Sequence, residues 1–425
     1  MQFFNVHSHI FNMRNAPKRF LHMYLPDFAA NLIDRLTNTE VGASTFAFLL
    51  SKLGGNGGKR YASFLQVGKS RNQREIFENL KSQYDDPHLK IVALTMYMEK
   101  CGAGPTETGF EGQLEGILEV KKEYPDNLLV FLGIDPRWKR SGQELRETVE
   151  RHFNTPIKVN ATRSVYPFAG LKIYPSMGFY AFDEKLKETF EWAAEMSVPV
   201  LTHCSYLGGL YSNDTNHVND SLNPLDIYAG VKYSETFGAG TPPPHPDKSR
   251  KLLKWILGQR ENMRNLNTCS YFMEPASFKT LLDYHSKKER PLKICFAHFG
   301  GESHVLDEYH ERSSGDIFGM IPANWCAQIK DLMLKYPKSV YTDIAYAVGN
   351  SKTHPAFWKE LQNPAFTDKI MFGTDFFMTE RILPEKDDYA SFKKYALPKN
   401  ISDNNAWEIM ASQNVESFLT SKYYP

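Results

Sequence analysis

Two histidines separated by one residue, His7 and His9, lie near the start of the chain in Asn5-Val6-His7-Ser8-His9. In an extended strand residues i and i+2 share a face, so both imidazoles can reach one metal ion. Four more polar residues stand near the ends of short apolar runs. Lys172 lies in Gly170-Leu171-Lys172-Ile173-Tyr174-Pro175, and His203 closes Pro199-Val200-Leu201-Thr202-His203. His298 closes Lys293-Ile294-Cys295-Phe296-Ala297-His298, and Asp375 closes Ile370-Met371-Phe372-Gly373-Thr374-Asp375. Imidazole and carboxylate are nitrogen and oxygen donors for a divalent ion. An apolar neighbourhood is a poor place for an ammonium, so Lys172 is either ion-paired or holds a neutral amine. A neutral amine can take up carbon dioxide as a carbamate, an anionic oxygen ligand able to bridge two metals. The expected ligand set is therefore His7, His9, Lys172, His203, His298 and Asp375.

Six positions so far apart in sequence need a scaffold that brings them together. Short β-rich runs alternate with helical patterns along the chain, the signature of βα units around a parallel sheet. The spacing predicts strands over 3–10, 90–97, 128–134, 169–174, 200–204, 293–298, 340–344 and 369–374. Most are almost continuously apolar, as expected of strands buried on both faces. A helix is predicted over 184–196, with Asp183 as its N-cap and Leu186, Phe190 and Ala193 on one face. Another is predicted over 323–335, opened by Pro322. The expected fold class is α/β: a single (β/α)₈ TIM barrel spanning 1–425, with the ligands at the mouth formed by the C-terminal strand ends. Two stretches exceed ordinary barrel loops: 11–89, largely helical in pattern, and 206–292, rich in Asn, Gly and Pro. Both are expected to be large insertions acting as lid or cap segments. Gly54-Gly55-Asn56-Gly57-Gly58 lacks the Lys-Ser/Thr of a phosphate loop and is expected to be a turn.

Other polar residues fall near the same mouth. Arg137 follows the third run and Arg381 the eighth; each is either a bidentate partner for a substrate carboxylate or half of a structural ion pair. Tyr174, two residues beyond Lys172, is expected to face the same cavity. Glu302 and His304 follow His298 and are expected to line the mouth. Asp343, a carboxylate inside the apolar seventh run, is expected to hydrogen-bond a ligand histidine from behind.

Composition bounds the rest. Of 425 residues, 42% are hydrophobic and 23% charged, which suits a globular protein with a large core. The formal net charge of +1 provides no global field for nucleic acid or an anionic membrane, and neither is an expected partner. The five cysteines include no C-x-x-C pair, which argues against a disulfide framework or a zinc knot. No apolar run approaches the ~20 residues needed to cross a bilayer. A cytoplasmic enzyme with a small-molecule substrate is expected, with a homo-oligomer among the options left open.

Taken in order along almost the whole chain, outside the two insertions, these segments resemble the amidohydrolase superfamily. Within it, they resemble the branch that holds aromatic-acid decarboxylases and related hydrolases. The resemblance rests on Asn5 to His9, Gly170 to Pro175 with Gly178-Phe179, Val200 to His203, Ala297-His298-Phe299-Gly300-Gly301, and Phe372 to Asp375. Gly170 to Ile173 also resembles the segment around the carboxylated lysine of ureases and dihydroorotases. The resemblance implies metal-dependent hydrolysis of an amide, lactone or ester bond through a metal-activated hydroxide. Asp375 then orients that hydroxide, accepts its proton and passes it to the leaving group. The donor set suits Zn²⁺, one or two ions per chain, with Mn²⁺ or Fe²⁺ as alternatives. Two other readings stay open. One is a decarboxylase or hydratase of a small carboxylic acid, with one ion and no carbamate. The other is an inactive barrel kept as a binding protein, which the loss of His7, His9 or Asp375 would have favoured.

Overall fold

Eight apolar runs become eight parallel strands, arranged in chain order around a barrel. The structure is a computed structural model and describes residues 2–17, 70, 72–205, 224–238, 242–244, 271–312, 324–376, 378–379 and 383–424. The strands are β1 (Phe3–Ser8), β2 (Leu89–Leu94), β3 (Leu128–Ile134), β4 (Gly170–Ile173), β5 (Val200–Thr202), β6 (Ile294–Phe296), β7 (Val340–Asp343) and β8 (Ile370–Met371). Each falls on a predicted run, and most are shorter at the C-terminal end. Two two-stranded hairpins lie outside the barrel. Between β1 and β8 the seam closes through Val6 N–H to Phe372 O (3.0 Å), Asp375 N–H to His7 O (2.9 Å) and His9 N–H to Phe376 O (2.5 Å).

The continuous apolar runs reflect two buried faces. On β3, Leu129 and Phe131 point into the barrel, packing with Phe4, Val6, Leu201, Tyr341 and Met371. Leu128, Val130 and Leu132 face the outer layer with the helices. Gly170 makes room for the Phe131 ring: a Cβ there would lie 2.4 Å from Phe131 Cζ. That close approach requires glycine.

The outer layer includes α1 (Gln73–Ser82), α2 (Gly109–Glu123), α3 (Gly142–Asn154), α4 (Lys187–Glu195), α5 (Lys279–His285), α6 (Glu302–Tyr309), α7 (Trp325–Lys335), α8 (His354–Leu361) and α9 (Glu385–Ala396). Asn72 and Ser141 cap α1 and α3 by accepting the backbone N–H three residues on. Asp183 caps a 3₁₀ turn (Glu184–Leu186) that leads into α4, with Leu186, Phe190 and Ala193 fully buried as predicted. Asn324 caps α7; the predicted opening at 322–323 lies outside the described residues. A last helix, α10 (Asn414–Leu419), plugs the barrel floor with Val415, Phe418 and Leu419. Lys293 Nζ caps that helix by donating to Phe418 O (2.6 Å) and Thr420 O (2.8 Å).

Of the insertion 11–89, residues 18–69 and 71 lie outside the described residues, as do 206–223, 239–241 and 245–270 of the insertion 206–292. The predicted lid roles fall largely there, as does the Gly54–Gly58 turn. Among the described residues no helix is long and apolar enough to cross a membrane.

Candidate metal centre

Strict alternation along β1 would not bring the histidines inward. Phe4 and Val6 face the barrel interior, so an unbroken period of two would place His7 and His9 on the outer face. The register resolves this. Asn5 pairs with Ile91 and Ser8 with Ala93, so β1 holds one residue more than β2 over that stretch. This β-bulge re-aims His7 and His9 into the mouth. The same-face argument holds for the pair, but it is the bulge that chooses the face.

The two rings converge on one carboxylate oxygen. His7 Nε2 lies 3.4 Å and His9 Nε2 3.3 Å from Asp375 Oδ1. All three residues are buried, and their ligand atoms lie within 4.8 Å of one another. Asp375 adopts the left-handed region at φ 65°. Such a conformation costs a non-glycine residue about 1–3 kcal/mol and persists only where its surroundings hold it. Here the Asp375 N–H bond to His7 O does so. Gly373 lets this segment approach: a Cβ there would fall 2.9 Å from His7 Cβ.

The far nitrogens of the rings are held in turn. His7 Nδ1 meets Asp343 Oδ2 at 3.0 Å, His9 Nδ1 meets Leu94 O at 3.4 Å, and His298 Nδ1 meets Ala345 O at 3.0 Å. Each contact favours the tautomer that leaves Nε2 as an inward lone pair. Asp343 also accepts the N–H of His298 (2.9 Å) and of Ala345 (3.0 Å), so one carboxylate fixes candidate ligands from β1 and beyond β6. The hydrogen bond expected between Asp343 and a candidate ligand histidine is the one to His7. His298 is left-handed at φ 65° and opens the run Phe299-Gly300-Gly301, all at positive φ. His203 joins through Nδ1, 3.1 Å from His298 Nε2, and its ring stacks on Tyr174 at 4.3 Å. Two ring nitrogens meeting at the mouth suit a shared cation.

Lys172 completes the group. Its side chain is 1% exposed, and Nζ has no hydrogen bond; the Tyr174 ring lies 5.2 Å away. Burial pushes its ammonium down to about 8, against the opposing pull of Asp343 and Asp375. Burial, aided by the charge of Lys172, also holds the His7 imidazole well below its ordinary value. Burial raises the carboxyl of Asp343. Burial acts on Asp375 in the same sense, but His9 Nε2 at 3.3 Å and the neighbouring His7 and His298 outweigh it and keep this group below the usual carboxylate range. His7 Nε2 and Asp375 Oδ1 are buried without a hydrogen bond. Orphaned acceptors of this kind, beside a neutral-prone amine, fit a divalent cation.

The structure therefore gathers His7, His9, Lys172, His203, His298, Asp375 and Tyr174. It does not gather the remaining candidates. Arg137 donates to Asp135 through Nε and Nη2 (2.8 and 2.5 Å) and to the carbonyls of Lys100, Met177 and Gly178. Its guanidinium is used within the protein, the ion-pair alternative, because the Asp135 carboxylate and these carbonyls satisfy every donor of the half-buried fork. His304 accepts the Trp325 N–H at 3.1 Å and anchors the start of α7, burial pushing its imidazole down to about 4. Glu302 takes the Asn350 amide at 2.6 Å. Arg381 lies outside the described residues. Sequence reasoning missed Asn5, Tyr84 and Glu385, which form a buried cluster with Thr374 behind the centre. Only the polar residue at position 5 in an apolar strand hinted at it.

No protein-family model matches the chain, and no curated protein is similar to it in sequence. Solved structures do share its fold. A 5-carboxyvanillate decarboxylase from Novosphingobium aromaticivorans, solved with manganese and 3-methoxy-4-hydroxy-5-nitrobenzoic acid, is 13% identical over 98% of this chain and 97% of its own, with a TM-score of 0.51. A second structure of that enzyme, also with manganese, gives 13% identity over 98% and 96%, with a TM-score of 0.50. A probable 2-pyrone-4,6-dicarboxylic acid hydrolase from Acinetobacter baumannii is 9% identical over 99% of both chains, with a TM-score of 0.44. The chain shares a TIM-barrel fold with the decarboxylase.

Proposed function

We propose that this protein is a metal-dependent hydrolase of the amidohydrolase type, cleaving an amide, lactone or ester bond of a small molecule. The observation that carries this reading is Lys172: a fully buried amine, without a hydrogen bond, titrating near the pH of a cell, among six other polar groups at a barrel mouth. Its neutral lone pair can attack the carbon of carbon dioxide. A new N–C bond forms, one C=O π bond becomes a carboxylate, and an Nζ proton leaves to solvent. The carbamate so formed would join His203 and His298 as ligands of one cation, while His7, His9 and Asp375 hold the other. Bound divalent ions, Zn²⁺ by donor type and Mn²⁺ by likeness to the decarboxylase, supply an acidified water and polarise the scissile carbonyl. Asp375 accepts the nucleophile's proton at Oδ1 and returns it to the leaving group. The stacked pair of Tyr174 and His203 forms one wall for the substrate.

A second reading is decarboxylation of a small carboxylic acid with one ion. It is favoured by the compact His7, His9 and Asp375 group, which suffices for a single cation, and by the fold shared with a decarboxylase. In that case Lys172 stays an ammonium beside Tyr174 and pairs with the substrate carboxylate. Elemental analysis and ¹³C NMR after loading with metal and ¹³C-bicarbonate separate the two. The hydrolase reading expects two ions per chain, a labelled lysine, and loss of one ion and the label in Lys172→Ala. One ion, unchanged in Lys172→Ala and with no label, sinks the carbamate reading and leaves decarboxylation or a one-ion hydrolase.

A further inference from the structure

Behind the seam between β1 and β8 sits a buried polar cluster that the proposed chemistry does not use. Glu385, in the first turn of α9, is 0% exposed. Its Oε1 accepts from the Tyr84 hydroxyl, from Thr374 Oγ1 at 2.6 Å and from Asn5 Nδ2 at 3.1 Å. Three donors converge on this one buried oxygen. Asn5 Nδ2 also reaches the Tyr84 hydroxyl (2.9 Å) and Thr374 Oγ1 (2.8 Å). An amide nitrogen surrounded in this way has its orientation fixed, so the oxygen must face the other direction.

That oxygen touches both ligand-bearing segments. Asn5 Oδ1 accepts the His7 N–H at 3.3 Å and the Thr374 N–H at 3.2 Å. The first lies at the β1 bulge, where the extra residue takes backbone groups out of the ladder and leaves them needing partners. The second is the residue before Asp375, whose left-handed backbone is already strained. Thr374 Oγ1 takes the Phe376 N–H at 3.3 Å, holding the other side of the same turn. Strand β8 has only two ladder residues, so regular pairing does little to fix the turn at its C-terminal end.

We propose that Asn5, locked by Glu385, Tyr84 and Thr374, is a positioning residue: it holds the bulge that aims His7 and the turn that presents Asp375, and thereby sets the affinity of the centre for its metal. The inference rests on the metal reading above. Outer partners of metal ligands are worth about 10–100-fold in metal affinity. The donor and acceptor roles make the proposal reversible. Asn5→Asp places a second carboxylate against Glu385 and removes the donor. Glu385→Gln restores a donor on the opposite side.

The test measures Mn²⁺ binding by calorimetry and by electron paramagnetic resonance of the bound ion, in protein shown to be folded by circular dichroism. Asn5→Asp is expected to raise the Kd for Mn²⁺ about 10–100-fold and broaden the bound-ion spectrum. The Asn5→Asp/Glu385→Gln pair should recover most of the loss. Lys293→Ala, which uncaps α10 at the barrel floor, should lower thermal stability and leave Kd and spectrum alone. Should Asn5→Asp not fold, Tyr84→Phe and Glu385→Gln carry the test, each expected to raise Kd while folded. Wild-type affinity and spectrum in the folded Asn5 and Glu385 variants, or no recovery in the pair, overturns the proposal. Wild-type protein that binds neither Mn²⁺ nor Zn²⁺ overturns the metal reading itself, an outcome the variants cannot produce.

Discussion

The two ends of this barrel are built from the same strands and obey opposite rules. At the floor, Phe4, Phe131, Leu201 and Tyr341 pack against Val415, Phe418 and Leu419, and the half-buried Lys293 caps a helix end through two carbonyls. At the mouth, His7 Nε2, Lys172 Nζ and Asp375 Oδ1 are buried without hydrogen bonds, and His298, Tyr346 and Asp375 hold left-handed backbones. Unsatisfied polar atoms and strained φ values lower stability, so their concentration marks the mouth as the costly end of the fold. The floor supplies the surplus that lets the mouth remain strained.

That contrast can be broken by substitution. The largest effect is expected at Asp375→Asn, which keeps the shape and loses the proton acceptor. Turnover of any ester, lactone or amide cleaved by the wild type should fall by about 10²–10⁴-fold or more, with thermal stability of the metal-free protein unchanged or higher. Wild-type rates in that variant would remove Asp375 from the chemistry.

Next in size is Phe131→Ala, which leaves a cavity under the floor. It should cost about 3–5 kcal/mol in denaturant unfolding while the folded fraction binds metal at wild-type stoichiometry. Lost metal without lost stability would show that floor and mouth are not separable.

Lys172→Met should do the reverse and stabilise the metal-free protein. The lysine titrates at about 8 in the fold against 10.5 for a free side chain. Below 8 both states hold the proton and the fold bears the full cost of burying it. Between 8 and 10.5 the unfolded state binds more protons, so wild-type stability rises with pH; above 10.5 the cost is gone. The gain from Met is therefore about 3 kcal/mol below pH 8 and fades above it. A pH-independent gain would mean that Lys172 is already paired or modified.

The smallest effect belongs to the helical shell. Burial pushes His285 down to about 4, and neither ring nitrogen has a hydrogen bond. The unfolded state takes up a proton first as pH falls from 6.5 to 4, so stability is lost in that window. His285→Leu should flatten the loss by about 1–3 kcal/mol, read from urea midpoints at pH 6.5 and 4. An unchanged slope would assign the acid sensitivity to the other buried histidines, His7 and His304 among them.

Much of this was legible in one dimension. Eight apolar runs located eight strands because burial on both faces removes polar residues from a strand wherever it sits. His203, His298 and Asp375 were legible because a polar residue just after such a run must face the barrel mouth. Asp343 stood out as a carboxylate inside a run. The bulge did not, because one extra residue in β1 leaves the composition of Phe3–Ser8 unchanged and shows only when β1 is laid against β2. Arg137 and His304 were placed by nearness in sequence, whereas their partners are carbonyls and an N–H supplied by other loops and helices. Glu385 was invisible for the same reason: it meets Asn5 across 380 positions, and nothing local announces that contact.

That separation has a consequence for how the molecule is made. His7 and Asp375 face one another only after the first strand has met a segment more than 360 residues downstream, as Asn5 meets Thr374 across 369 positions. Contacts of such range form late in folding, since the intervening chain must be ordered before they are rewarded. The proposed metal centre is thus expected to be the last part of the barrel to be assembled and a natural reporter of its completion. In refolding from urea, Mn²⁺ uptake should lag behind the recovery of helical circular dichroism; uptake in step with the first helical signal would show that the seam closes early.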